Sequence, residues 1–136
     1  MSSFSNVLTP VNNPVVKIDN LVKVFGTGEN EVRAVDGVSA DIERGKLTAV
    51  MGPSGSGKST LMHCVVGLET ATSGSVLLDG KEVTAMKERQ LTALRRDDIG
   101  FIFQSFNLVP NLNARENIEL PAVIAGRKLD QDFLTA

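Results

Sequence analysis

The sequence predicts an α/β fold: a strand–loop–helix core, an antiparallel β-subdomain at its N-terminus and the start of a helical subdomain after it. Three observations predict it. Between Val15 and Ile42 the chain is β-rich, with connections too short for crossover helices, so these runs pair antiparallel. The apolar run Leu47–Met51 leads directly into a Gly/Ser-rich loop and then into the helix-forming run Leu61–Val66. From Ser75 on, strand and helix signals alternate.

Taken in order, residues 1–13 are polar, contain Pro10 and show no period, which reads as a flexible lead-in. The folded body is 14–136, with the β-subdomain and loop core in 14–104 and the start of the helical subdomain in 105–136. Val15–Phe25 carries two short β runs broken near Asp19-Asn20. Gly26–Asn30 is a turn, Glu31–Val35 is extended, and Val38–Ile42 alternates apolar and polar residues before a turn at Arg44-Gly45. Leu47–Met51 reads as a short buried strand. Gly67 is placed to stop the helix that follows the loop.

Thr70–Gly74 is a loop, and Ser75–Leu78 is a strand ending in the Asp79-Gly80 turn. A polar helix spans about Met86–Arg96, with Leu91 and Leu94 inward and Arg95 and Arg96 at its negative end. Ile99–Phe103 is apolar on both faces, as a strand covered on both sides should be. Asn113-Ala114-Arg115-Glu116 has capping-box spacing and opens a helix through roughly Ile124, which Pro121 kinks or interrupts. Lys128–Ala136 reads as the start of a further helix, with Asp130 near its cap and Phe133 and Leu134 inward. The absence of a stop signal there suggests an incomplete domain.

The 136 residues are 42% hydrophobic and 22% charged, enough for one modest core. A net charge of -2 gives no electrostatic reason to expect a nucleic-acid partner. The single cysteine, Cys64, excludes an internal disulfide framework and reads as a small buried hydrophobe. His63 is the only histidine, so no His-based metal cluster can be built. No apolar run approaches the ~20 residues of a membrane span and no signal peptide is visible, so a soluble, non-secreted chain is expected.

The chemistry concentrates in Gly52-Pro53-Ser54-Gly55-Ser56-Gly57-Lys58-Ser59-Thr60, which fits G-x-x-x-x-G-K-[ST], the phosphate-binding P-loop. Glycines let backbone N–H groups approach a phosphate chain that side chains would hold off. The helix that starts near Lys58 turns its positive end toward the same anion. Lys58 can reach the β- and γ-phosphates, and the Ser59 hydroxyl can ligate Mg²⁺. The motif therefore implies a nucleoside triphosphate.

A P-loop alone names a ligand class and not a task. Four segments extend the match: LVKVFG, AVDGVSADIERGKLTAVMGPSGSGKSTL, TSGSVLLDG and LRRDDIGFIFQSFNLVPNLNARENIELP. From Val15 on, the sequence resembles the ATP-binding subunit of ABC transporters. The last segment looks most like the group that exports macrolides or antimicrobial peptides, or releases lipoproteins from a membrane. The resemblance implies a P-loop NTPase core of ABC type, with ATP and Mg²⁺ as ligands. It puts Phe25 where the family stacks an aromatic on adenine, although tyrosine is commoner there. It puts Gln104 at the Q-loop, its amide near Mg²⁺ and the attacking water, so that Lys58 and Gln104 are the candidate catalytic groups and Ser59 and Gln104 the candidate metal ligands.

Phe106–Pro110 would then face a membrane permease, with Leu108 and Val109 as interface candidates. The other implied partner is a second ATP-binding subunit, head to tail, and the implied location is the cytoplasmic face of the membrane. The family's serine-glycine signature, Asp-Glu strand end and switch histidine do not occur in these 136 residues. They are therefore expected to bind Mg-ATP and not to hydrolyse it alone. Two rival readings are a soluble ABC-type ATPase without a permease, working on ribosomes or DNA, and a nucleotide-binding, non-catalytic remnant.

Overall fold

The computed structural model describes residues 13–129. The expected lead-in and the helix start at 130–136 lie outside them, apart from Asn13, Lys128 and Leu129, none of which is helical. The backbone forms two compact units, one ending at Lys87 and one beginning at Glu88.

The first unit is built on a four-stranded antiparallel sheet, ordered β2-β1-β3-β4. Its strands are β1 (Pro14–Phe25), β2 (Val32–Glu43), β3 (Ser73–Leu78) and β4 (Lys81–Glu82). The short connections from β1 to β2 and from β3 to β4 make antiparallel pairing the available solution there, as expected for the first pair, and β3 returns from α1 to pair antiparallel with β1 on its other edge. β1 does not break at Asp19-Asn20: a register shift between Ile18 and Leu21 absorbs the irregularity, with Asn20 at φ 44°. The Asn20 amide donates to Ser39 Oγ at 2.9 Å, so the bulged strand keeps its backbone satisfied. β2 runs on through Gly37, which takes a positive φ. Asp79 and Gly80 both have positive φ and join β3 to β4, as a two-residue hairpin turn requires.

Against the sheet packs α1 (Lys58–Val65). Leu61, Cys64, Val65 and Val66 meet Val16, Ile18, Leu21, Val35, Val38 and Val76 in the buried core. Leu68 N donates to His63 O at 2.8 Å and Gly67 N to Cys64 O at 3.2 Å, with Gly67 at φ 69°. This is the paired C-terminal bonding that a left-handed glycine allows, and Gly67 is the stop that the sequence suggests.

Two expected strands are not formed. Leu47–Met51 and Ile99–Phe103 lie outside the sheet, with Leu47 100% and Ile102 97% exposed. A strand exists only when a neighbour completes its ladder, and among the described residues neither segment has one. Their apolar composition was therefore a guide to what they can bury and not to what they bury here.

The second unit carries α2 (Glu88–Asp97) and α3 (Ala114–Ile124). Leu94 is buried and Leu91 partly so, and Arg95 and Arg96 sit in the last turn of α2. Asn113 accepts from Glu116 N at 2.9 Å while Glu116 Oε2 accepts from Asn113 N at 2.8 Å, so the expected capping box is complete. Pro121 lies inside α3 without ending it, and Ala125 N still donates to Pro121 O at 3.0 Å. The Asn117 side chain pins the preceding loop. Its Oδ1 accepts from Val109 N at 2.8 Å, and its Nδ2 reaches Leu112 O and Asn113 O, each at 3.0 Å. No helix among the described residues is long and apolar enough to cross a membrane.

Candidate functional site

The P-loop spans Gly52–Thr60, running from the segment 47–51 into the first turn of α1. Ser56 N donates to Pro53 O at 3.3 Å, which closes a tight turn at the tip. Gly55 and Gly57 lie at φ 76° and 85°, where side chains are strained. Space is the second constraint on Gly57, since a Cβ there would stand 1.9 Å from Ala34 O on β2. At Gly52 a Cβ would meet Ser56 Oγ at 2.8 Å. The loop is thus folded on itself at one end and pressed against β2 at the other.

Gly57 is also the N-cap of α1, and no side chain caps that end. Leu61 N donates to Gly57 O at 2.8 Å as the helix begins. The N–H groups of the first turn have no carbonyl behind them in the helix, so they carry its positive end to the loop. Lys58 adds a full charge. Its Nζ donates to Gly52 O at 2.8 Å, to Pro53 O at 2.7 Å and to Ser56 Oγ at 3.3 Å. Those three contacts match the three donors of an ammonium and hold it across the loop. Ser59 is exposed and offers a hydroxyl oxygen, a hard donor of the kind Mg²⁺ prefers. Side-chain-free backbone, an uncapped helix end and an anchored cation together fit an anionic phosphate chain.

The chain of which this loop is a part matches the ABC transporter family model over residues 35–135. It belongs to the ABC transporter family. A macrolide export ATP-binding/permease protein, MacB, of Brucella abortus (strain 2308) is 44% identical over 83% of this chain and 18% of its own length. An uncharacterized ABC transporter ATP-binding protein of Thermotoga maritima is 46% identical over 82% of this chain and 48% of its own. Among solved structures, the ATP-binding cassette MJ0796, in a dimeric post-hydrolysis state bound to ADP and Pi, aligns with a TM-score of 0.79 at 41% identity, over 85% of this chain and 50% of that one. The chain therefore spans less than half the length of those two curated relatives. The likeness establishes the ABC-type cassette fold expected from the sequence, and ABC ATPase domains bind ATP and hydrolyse it.

Within this ABC chain, the predicted site residues divide between the two units. Phe25 ends β1, pairs with Val32 of β2 and is 41% exposed. The same end of β2 supplies the Ala34 carbonyl that faces Gly57, so one hairpin carries Phe25 and braces the P-loop. Gln104 belongs to the second unit, exposed, in the segment that follows Phe103.

Sequence reasoning missed Lys23. Its side chain is only 12% exposed, its Nζ bonds Glu69 Oε1 at 2.7 Å and Thr70 O at 2.8 Å, and it lies 4.7 Å from the centroid of the Phe25 ring. Strand alternation was the available signal, because residues 23 and 25 share a face.

Proposed function

We propose that this chain is the ATP-binding part of a transporter in which ATP binding and hydrolysis drive export, or lipoprotein release, by a partner membrane permease. The observation that carries the nucleotide-binding core of the reading is the P-loop: Lys58 held at the mouth of an uncapped helix N-terminus whose glycine is packed against β2. Backbone N–H groups of Gly52–Thr60 other than Pro53, which has none, hold the β- and γ-phosphates, and Lys58 offsets their charge. Phe25 stacks on the adenine, a flat apolar face that gives affinity with little selectivity between bases. Ser59 and Gln104 are the side chains that would hold Mg²⁺, which would supply positive charge against that of the phosphates. Gln104 orients the attacking water.

In this reading 14–104 is the nucleotide-binding part, 105–136 begins the part that meets the permease at the cytoplasmic face, and a second ATP-binding subunit binds head to tail. The 136 residues bind Mg-ATP without turning it over. Phosphoryl transfer needs a group that activates water and further charge around the γ-phosphate, and no Asp-Glu pair ends an apolar strand in this sequence. The names of the macrolide-export relatives support the transporter assignment.

Titration of ATP against the chain and its Lys58→Ala variant tests the site. Loss of about tenfold or more in affinity is expected, since a charge-assisted contact is removed, and equal affinities would overturn it. Steady ATP turnover by the 136 residues that Lys58→Ala abolishes would refute the non-hydrolytic reading.

A further inference from the structure

We propose that Lys23 is a positioning residue for the nucleotide base: it backs the Phe25 ring with a fixed cation and ties that ring to the loop that leaves the P-loop helix. The proposal rests on the reading of Phe25 as the adenine platform.

Lys23 and Phe25 are two apart on β1 and so lie on the same side of the strand. The ammonium stands 4.7 Å from the ring centroid, within the range of a cation–π contact. A lysine on a strand ordinarily carries its charge into water, but this one does not. Its Nζ is bonded to Glu69 Oε1 at 2.7 Å and Thr70 O at 2.8 Å, and the side chain is largely withdrawn from solvent. Three partners therefore fix one ammonium: a carboxylate, a carbonyl and an aromatic face.

Glu69 and Thr70 follow the Gly67 turn that ends α1, so the anchor is covalently continuous with the P-loop helix. The same loop is laced to β1 on both sides of Lys23. Thr72 N donates to Val22 O at 2.8 Å, and Val24 N donates to Thr72 Oγ1 at 3.0 Å. A ring held on one face by an anchored cation leaves its other face for a base. Drawing π-density toward the ammonium also makes that other face less negative, which favours stacking against a purine. Lys23 thereby connects the element that holds the phosphates to the residue that holds the base.

The test compares two probes, ATP and inorganic tripolyphosphate, which has the charge but no base, on the full 136-residue chain. Lys23→Met is expected to weaken ATP binding about three- to tenfold and to leave tripolyphosphate binding unchanged. Lys23→Arg, which keeps a cation for the ring and for Glu69, restores ATP affinity to within about twofold. In a Phe25→Ala background Lys23→Met has no further effect on ATP. Equal weakening of both probes would overturn the proposal, because Lys23 would then serve folding or the phosphates.

If Phe25→Ala weakens ATP binding and Lys23→Met does not, the stacking reading stands and the role of Lys23 alone is overturned. If Phe25→Ala leaves ATP binding intact, the platform reading fails and this proposal with it. Should Lys23→Met not fold, Glu69→Gln takes its place, with the same pattern expected and unchanged ATP affinity as the overturning result.

Discussion

The carbonyl oxygen of Ala34 occupies the place next to Gly57 that any Cβ would need, 1.9 Å from where that atom would stand. One residue thus reports two constraints, a left-handed φ of 85° and a backbone wall that has no rotamer to turn away. Gly57→Ala is expected to cost about 2–4 kcal/mol of stability and to reduce ATP affinity about tenfold or more. Urea unfolding and ATP titration check this. An unchanged unfolding midpoint would show that β2 yields at Ala34.

Gly55 provides the contrast. Its φ is 76°, but a Cβ there meets nothing within 4 Å. Gly55→Ala should therefore cost only the conformational strain, about 1 kcal/mol. If urea unfolding showed it as damaging as Gly57→Ala, the role given to the Ala34 contact would be wrong.

Gly74 on β3 makes the same argument away from the nucleotide. A Cβ there would stand 2.3 Å from Asn20 O, at the bulge of β1, and φ is 85°. Gly74→Ala should destabilise the sheet by about 2 kcal/mol or more, with hydrogen exchange rising along β1 and β3 together. Exchange that rose in β3 alone would count against a shared bulge.

Asn113 caps α3 through one bond and receives Glu116 in return. Asn113→Ala should cost about 1 kcal/mol, and Asn113→Asp should cost much less, since its oxygen can still accept. The readout is exchange of the Glu116 amide, faster in the alanine variant. Equal protection in the two variants would rule out the cap as its cause.

Burial pushes the Cys64 thiol up from its ordinary value, Lys23 partly pulls it back and Glu69 raises it again. The folded chain therefore keeps the thiol proton at a pH where the unfolded chain has lost it. Stability is then unaffected below the ordinary thiol value of about 8.5 and falls as pH rises from there toward the folded value. Between about pH 7 and about pH 9.5 the urea midpoint should drop further in the parent chain than in Cys64→Ala. Parallel drops would remove Cys64 as the source.

What was legible in the sequence was what short range determines. The P-loop, the Gly67 stop, the Asp79-Gly80 turn and the Asn113–Glu116 box each join residues a few positions apart, so spacing encodes them. The strands expected at 47–51 and 99–103 depend on ladder partners that spacing within the segment cannot specify, and those expectations failed. β1 was expected to break at Asn20, whose amide is satisfied by Ser39 nineteen residues away. Lys23 escaped notice for the same reason, since its partners Glu69 and Thr70 lie 46 and 47 residues further along.

Asn117 joins loop and helix in the second unit. Because its amide grips Val109 N, Leu112 O and Asn113 O, the turn from Val109 to Asn113 is clamped to the first coils of α3. Leu108 and Val109 are exposed just before and at that clamp. Through that one amide the loop carrying those two exposed side chains is tied to the start of α3, so a substitution at Asn117 would uncouple them.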